Sequence, residues 1–183
     1  MIFFTADTHF GHKNILRYCK RPFDSTHDHD QTLIKNWNSV VDSKDTVYHL
    51  GDFGLAKRGY LIQILKQLNG HIRFIRGNHD KEMKGSALFF VEELKGLYEL
   101  SITDEEMDVK QKIIMCHFPL EVWNKKHWGS WHLHGHCHGG IPSPPTMARL
   151  DVGVDTNSFA PISYEDVKFI MTRKVFQPPK RHS

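Results

Sequence analysis

Cysteine is scarce in this chain: Cys19, Cys116 and Cys137 are the whole complement of a 183-residue sequence, and no two stand in C-x-x-C spacing. An odd number cannot all pair, so a disulfide scaffold is not expected and a reducing compartment is. Long apolar runs are missing as well. None approaches the roughly 18 residues that a membrane helix needs. Only Ile2, Phe3 and Phe4 follow Met1 before the run breaks, without the basic flank of a secretory signal. A soluble, cytoplasmic protein with no membrane partner is expected. Charge of one sign is also lacking: 24 Lys and Arg against 21 Asp and Glu leave a net +3, too mild to argue by itself for a nucleic-acid partner. No internal repeat, low-complexity tract or linker breaks the text. The length suits one domain with a real core, expected over residues 1–175. Residues 176–183, with Pro178 and Pro179, read as a disordered tail after a short edge strand.

What the chain does have is histidine. There are 14, they are clustered, and histidine is the commonest metal ligand. Their places follow from the secondary structure. Ile2 to Thr5 reads as a buried strand, and Leu33, Ile34, Trp37, Val40 and Val41 mark one face of a helix from about Asp30 to Val41. Thr46 to Leu50 is a second strand. Leu61, Ile62, Leu65 and Leu68 give a second helix, ended by Gly70, and His71 to Ile75 a third strand. After residue 95 strands dominate: about Tyr98 to Thr103, Gln111 to Met115, Trp131 to His134 and Leu150 to Val154. Ser163, followed by Glu165 and Asp166, opens a last helix through Met171. This order predicts an α/β fold whose strand-end loops carry the site.

Five apolar runs stop at a metal-capable side chain: TADTH (Asp7, His9), HLGD (Asp52), IRGNHD (Asn78, His79, Asp80), IIMCH (His117) and WHLHGHCH (His136, His138). Each alone has an ordinary explanation as a loop start, a turn residue, a helix cap or a strand-end histidine. Together they do not. If the segments stay extended, residues i and i+2 point to one side, so Asp7 with His9 and His136 with His138 would each present a pair of ligands. Gly51, Gly77 and Gly135 each precede a candidate ligand, where a missing side chain allows close approach.

Read in order, D-x-H, G-D, G-N-H-D, a lone His117 and G-H-x-H resemble the signature of the calcineurin-like metallophosphoesterases across residues 7–138. The wording ADTHFGHKNI, HLGDFG, RGNHD and HLHGHCHG is similar to small stand-alone members from bacteria and phages. The resemblance implies an α/β, four-layer sandwich of two mixed β-sheets flanked by helices, and two divalent metal ions. Asp7, His9, Asp52 and His138 would hold one, and Asp52, Asn78, His117 and His136 the other, with Asp52 bridging. His79 would face the substrate as a catalytic residue, with Asp80 orienting its ring. The implied reaction is hydrolysis of phosphodiesters, and of phosphomonoesters besides, by in-line attack of a metal-bridging hydroxide. Nucleotide or nucleic-acid-derived substrates are expected. The alternative is a non-catalytic metal-binding scaffold of the same fold.

The donor set, carboxylate and amide oxygens with imidazoles, suits Mn²⁺ first, with Fe, Zn or Ni as alternatives, better than Ca²⁺ or Mg²⁺. One departure is plain: where many members continue G-D-x-x-D, this chain has Leu55. Beyond the motif, His12, Arg17 and Arg21 are candidates for gripping a phosphate, against the simpler reading of solvated loop and helix residues. The loop Glu121 to Trp131 holds three tryptophans, two lysines and a histidine, which suits either a nucleobase-binding rim or core packing.

Overall fold

A computed structural model describes residues 1–174, with the side chain of Val109 set aside. The expected edge strand and tail from residue 175 onward lie outside the described residues. Among the described residues, nine strands form two sheets. The first has the order β4-β3-β2-β1-β9, from β1 (Ile2–Thr5), β2 (Thr46–His49), β3 (His71–Phe74), β4 (Val91–Glu93) and β9 (Ile162–Ser163). Strands β1 to β4 run parallel, and β9 pairs antiparallel with β1. The second has the order β5-β6-β7-β8, from β5 (Leu97–Asp104), β6 (Val109–Cys116), β7 (Trp131–His134) and β8 (Arg149–Asp151). Here β5 and β6 are antiparallel, while β6, β7 and β8 are parallel. Two mixed sheets with flanking helices are the expected α/β sandwich.

Alternation along β1 and β2 builds two cores. Phe3 and Val47 pack under α2 (Thr26–Val40) and α3 (Arg58–Leu65), against Leu33, Trp37, Leu61 and Ile64. Phe4 and Tyr48, paired in register with rings 5.7 Å apart, face the other sheet with Ile113, Met115, Leu133 and Trp131. α4 (Tyr164–Thr172) joins this second core through Tyr164, Val167 and Met171. Both sheets put the C-terminal ends of parallel strands at one edge, and every candidate ligand follows such an end.

The differences from expectation have local causes. α2 begins a turn early because the Ser25 hydroxyl accepts from the Asp28 amide at 3.0 Å. α1 (Lys13–Tyr18) buries only Ile15 and is too short to show a period. β4 has no alternation to read; Arg73–Glu92 and Arg76–Glu93 pairs hold it to its neighbour. β8 stops at Asp151 because that carboxylate takes the Gly153 amide at 2.8 Å and turns the chain. Among the described residues no helix is long and apolar enough to cross a membrane.

Candidate metal centre

The ligand segments are not extended. Asp7, His9, Asp52, His136 and His138 all lie in the left-handed region, with φ between +49° and +71°. Asp and His tolerate this region better than most residues, at on the order of 1–2 kcal/mol each. Burying a large apolar side chain contributes about 1.5–3 kcal/mol, so the strands behind the loops can hold that strain. Left-handed backbone also corrects the alternation argument. His136 and His138 serve different groups, because the chain reverses between them.

Asp7, His9 and His138 bring one ligand atom each within 4.8 Å of one another, and so do Asp52, His117 and His136. Asp52 joins the two groups. Its Oδ2 lies 3.6 Å from His9 Nε2 and 3.5 Å from His117 Nε2, while its Oδ1 accepts from the His79 amide at 2.8 Å. Asn78 Oδ1 lies 3.0 Å from His117 Nε2 and 3.1 Å from His136 Nδ1. The glycines let the loops approach each other: a Cβ at Gly51 would meet Gly77 N at 2.6 Å, and one at Gly135 would meet Asp7 Oδ2 at 2.5 Å.

Two buried atoms, Asp7 Oδ1 and His9 Nε2, have no hydrogen-bond partner. An orphaned buried polar group costs about 1–3 kcal/mol, and a cation held by Asp7 and His9 would remove the deficit. Burial pushes Asp7 up to about 7 and, against the pull of Asp52, pushes His9 down to about 2, so His9 stays a neutral imidazole, the form that ligates. Burial opposes charge on Asp52 and His117 too. The hydrogen bond and charge between them outweigh it, holding Asp52 well below the usual carboxylate range and His117 above the usual imidazole one. The residues fit divalent ions.

A family model for calcineurin-like phosphoesterases matches residues 1–173. The chain belongs to the calcineurin-like phosphoesterase family. An uncharacterized protein of Methanocaldococcus jannaschii is 37% identical over 182 residues, covering 95% of this chain and 93% of that protein. The gene 66 protein of Mycobacterium phage L5 is 29% identical over 181 residues, covering 83% and 85%. The crystal structure of a protein of unknown function from Aquifex aeolicus shares the fold, with a TM-score of 0.67, 22% identity and coverage of 93% and 98%. Family membership makes this chain a metal-dependent hydrolase of phosphoesters, with candidate ligand groups at its strand ends.

Within this phosphoesterase, two expected roles need correction. Arg21 does not grip substrate. It is 4% exposed, and its guanidinium donates to both oxygens of Asp155 at 2.8 and 2.7 Å, to the carbonyls of Asp7 and Thr8, and to His29 Nε2. Every donor direction points inward, so the residue braces the first ligand loop. Asp80 does not orient the His79 ring. Its oxygens accept from the amides of Asp52, Phe53 and Gly77 at 2.7, 2.8 and 2.7 Å, splicing the Asp52 loop to the Asn78 loop.

His79 is exposed, with its ring centroid 5.6 Å from that of His9. His12 stands at the rim, its ring 5.3 Å from His9 and 6.3 Å from His79. Burial, then the charge of His79, pushes its imidazole down. Arg17 is exposed and stacks its guanidinium 5.3 Å over Tyr18. Leu55 lies outside both ligand groups and is 42% exposed. The tryptophan loop divides: Trp123 and Trp131 are buried, and Trp128 is exposed.

Asp155 was missed. Its Oδ2 accepts from His138 Nδ1 at 2.6 Å, which fixes the tautomer and leaves Nε2 as the donor atom. Burial opposes charge on both, but the hydrogen bond to Asp155 raises His138, and the hydrogen bonds from His138 and Arg21 lower Asp155 to about 2. The signal was present, since the run Leu150 to Val154 ends at this carboxylate as the other runs end at theirs. His49 braces the same region. Thr8 donates its hydroxyl proton to Phe53 O, so His49 Nε2 donates to Thr8 Oγ1 at 2.9 Å and His49 Nδ1 accepts from the Gly51 amide at 3.2 Å.

Proposed function

We propose that this protein is a binuclear, divalent-metal-dependent phosphodiesterase acting on nucleotide or nucleic-acid-derived substrates, with phosphomonoesters as secondary substrates. The observation that carries this reading is Asp52 Oδ2, set 3.6 Å from His9 Nε2 and 3.5 Å from His117 Nε2, one carboxylate oxygen shared by two converging ligand groups. Asp7, His9, His138 and Asp52 would hold one ion, and Asp52, Asn78, His117 and His136 the second. Mn²⁺ is the first candidate, ahead of Fe, Zn and Ni. Bound divalent ions supply a water of lowered pKa as nucleophile and positive charge against the phosphoryl oxygens.

The chain's own residues do the rest. The His79 amide fixes one oxygen of Asp52 and leaves the other free for the shared position. His117 donates Nδ1–H to the Leu50 carbonyl at 2.8 Å, so its Nε2 lone pair points into the site. The exposed ring of His79, in its protonated form, hydrogen-bonds a phosphoryl oxygen and gives its proton to the leaving oxygen. As water's oxygen bonds to phosphorus, the bond from phosphorus to that leaving oxygen breaks in line.

Hydrolysis of bis-p-nitrophenyl phosphate and p-nitrophenyl phosphate with added Mn²⁺ tests the reading. His79→Ala should keep two equivalents of metal and lose about 10²- to 10⁴-fold in turnover, whereas Asp52→Asn should lose metal. Full activity in a metal-replete His79→Ala protein would overturn the role of His79. Silence on both esters with metal bound would favour a non-catalytic scaffold.

A further inference from the structure

On the open side of His79 lies a cleft of about 480 Å³ that neither ligand group uses. His79 lines it together with Leu55, Ala56, Lys57 and Lys81. The Leu55 amide donates to the Phe10 carbonyl at 3.0 Å, so the loop is pinned while 42% of the residue stays exposed. Lys57 and Lys81 are exposed, and neither has an ion-pair partner among the described residues. The one carboxylate lining the cleft, Glu82, lies 3.7 Å from Arg58 and 3.6 Å from Lys84. The cleft therefore has an apolar floor, a free excess of positive charge and a wall made by His79.

We propose that this cleft binds the leaving portion of the substrate, and that this portion carries an apolar body and a second phosphate, which makes the substrate a terminally phosphorylated oligonucleotide. The inference rests on the reading of His79 as the group that protonates the leaving oxygen, because the leaving group must then depart on the side that His79 lines. A leaving group with no charge would give Lys57 and Lys81 nothing to bind. The volume is enough for a nucleoside, whose base can lie on Leu55 and Ala56 while its phosphate meets the two ammonium groups. Leu55 also gains a reason: an aspartate at this position, as in G-D-x-x-D, would set a negative charge against that phosphate.

The experiment compares dinucleotides bearing a phosphate at the 5′ end, at the 3′ end or at neither, hydrolysed by the Mn²⁺-loaded protein. One phosphorylated form should show a KM about tenfold below that of the unphosphorylated dinucleotide, the effect of two lysine contacts at a partly exposed site. The paired change Lys57→Ala with Lys81→Ala should shrink this ratio to about twofold or less, Lys57→Arg with Lys81→Arg should keep it, and Leu55→Asp should reduce it. No preference for a terminal phosphate in the native protein, or a preference that survives the double alanine change, would overturn the proposal. If no diester is cleaved although metal is bound, the proposed reaction fails. Calorimetric titration with the same dinucleotides joined by a phosphorothioate then tests the cleft alone: tighter binding of a phosphorylated form that the double alanine change abolishes upholds it, and equal binding overturns it.

Discussion

Asp7 and His9 are sealed in, at 0% and 1% exposure, and a continuous set of hydrogen bonds backs their group, whereas Asn78 and His136 stand in the open. On the buried side His138 donates to Asp155, and Arg21 ties Asp155 to the Asp7 and Thr8 carbonyls and to His29. His29 in turn donates to Asp30 at 2.7 Å, and Asp30 also accepts from the Gly11 amide and the Tyr60 hydroxyl. The open side has His117 fixed to the Leu50 carbonyl and the Phe118 ring 4.7 Å from that of His136. The first group is braced before any ion arrives, whereas the second joins two buried side chains, Asp52 and His117 at 2% and 1% exposure, to the exposed Asn78 and His136, which an ion would have to gather. Preorganisation lowers the ordering cost of binding, so the first ion should be held more tightly and the second should exchange.

The largest effect should come from Arg21→Ala. It leaves Asp155 with His138 as its remaining side-chain partner and strips two backbone carbonyls of their donor; removing one partner of a buried pair costs about 3–5 kcal/mol. Denaturant titration should show that loss, and metal analysis should show the first ion depleted before the second. Arg21→Lys should recover little, because one ammonium cannot reproduce the forked contacts. Equal depletion of both ions would break the contrast between the two halves.

A narrower cut is Asp155→Asn. The acceptor for His138 Nδ1 keeps its shape but loses its charge, and such changes behind a ligating histidine cost about 10- to 100-fold in metal affinity. Chelator competition should place that loss in the tighter site alone. An equal loss in the weaker site would mean that Asp52 couples the two ions more strongly than the Arg21–Asp155 bracing separates them.

These residues also mark how far the sequence could be read. Candidate ligands at strand ends were legible because parallel strands deliver their C-terminal ends to one edge, so apolar runs ending at Asp7, Asp52 and His117 already pointed to one place. The bracing was not legible in the same way. Arg21 stood three residues after Tyr18 in a basic stretch, and nothing in the local text distinguishes a guanidinium turned inward from one offered to solvent. The deciding partner, Asp155, is 134 residues away. Asp80 was misassigned because adjacency to His79 suggested contact, yet a tight turn points neighbouring side chains apart and gave its oxygens to three amides. Left-handed φ at the ligands was likewise hidden, since the alternation rule holds only where backbone stays extended.

The smallest effect concerns acid sensitivity, which the contrast assigns to the buried half. Burial, aided by the charge of His117 and opposed by Asp52, lowers His49 to about 3. Because the unfolded chain takes up this proton near the ordinary value of about 6.5, stability is intact above that pH and is lost progressively as pH falls toward 3. The slope from one such group is at most about 1.4 kcal/mol per pH unit. Asp7 runs the other way in the metal-free protein: its raised value of about 7 adds stability as pH falls from about 7 toward 4. Comparing variants with the native chain cancels that opposing contribution. Metal-free His49→Gln should therefore lose stability less steeply between pH 6.5 and 4 than the native protein, while His136→Gln, where burial and His117 lower the imidazole to a smaller extent, should flatten the slope less. If the two substitutions flatten the slope equally, burial does not distinguish the halves, and the tighter hold on the first ion must rest on Asp155 and Arg21 alone.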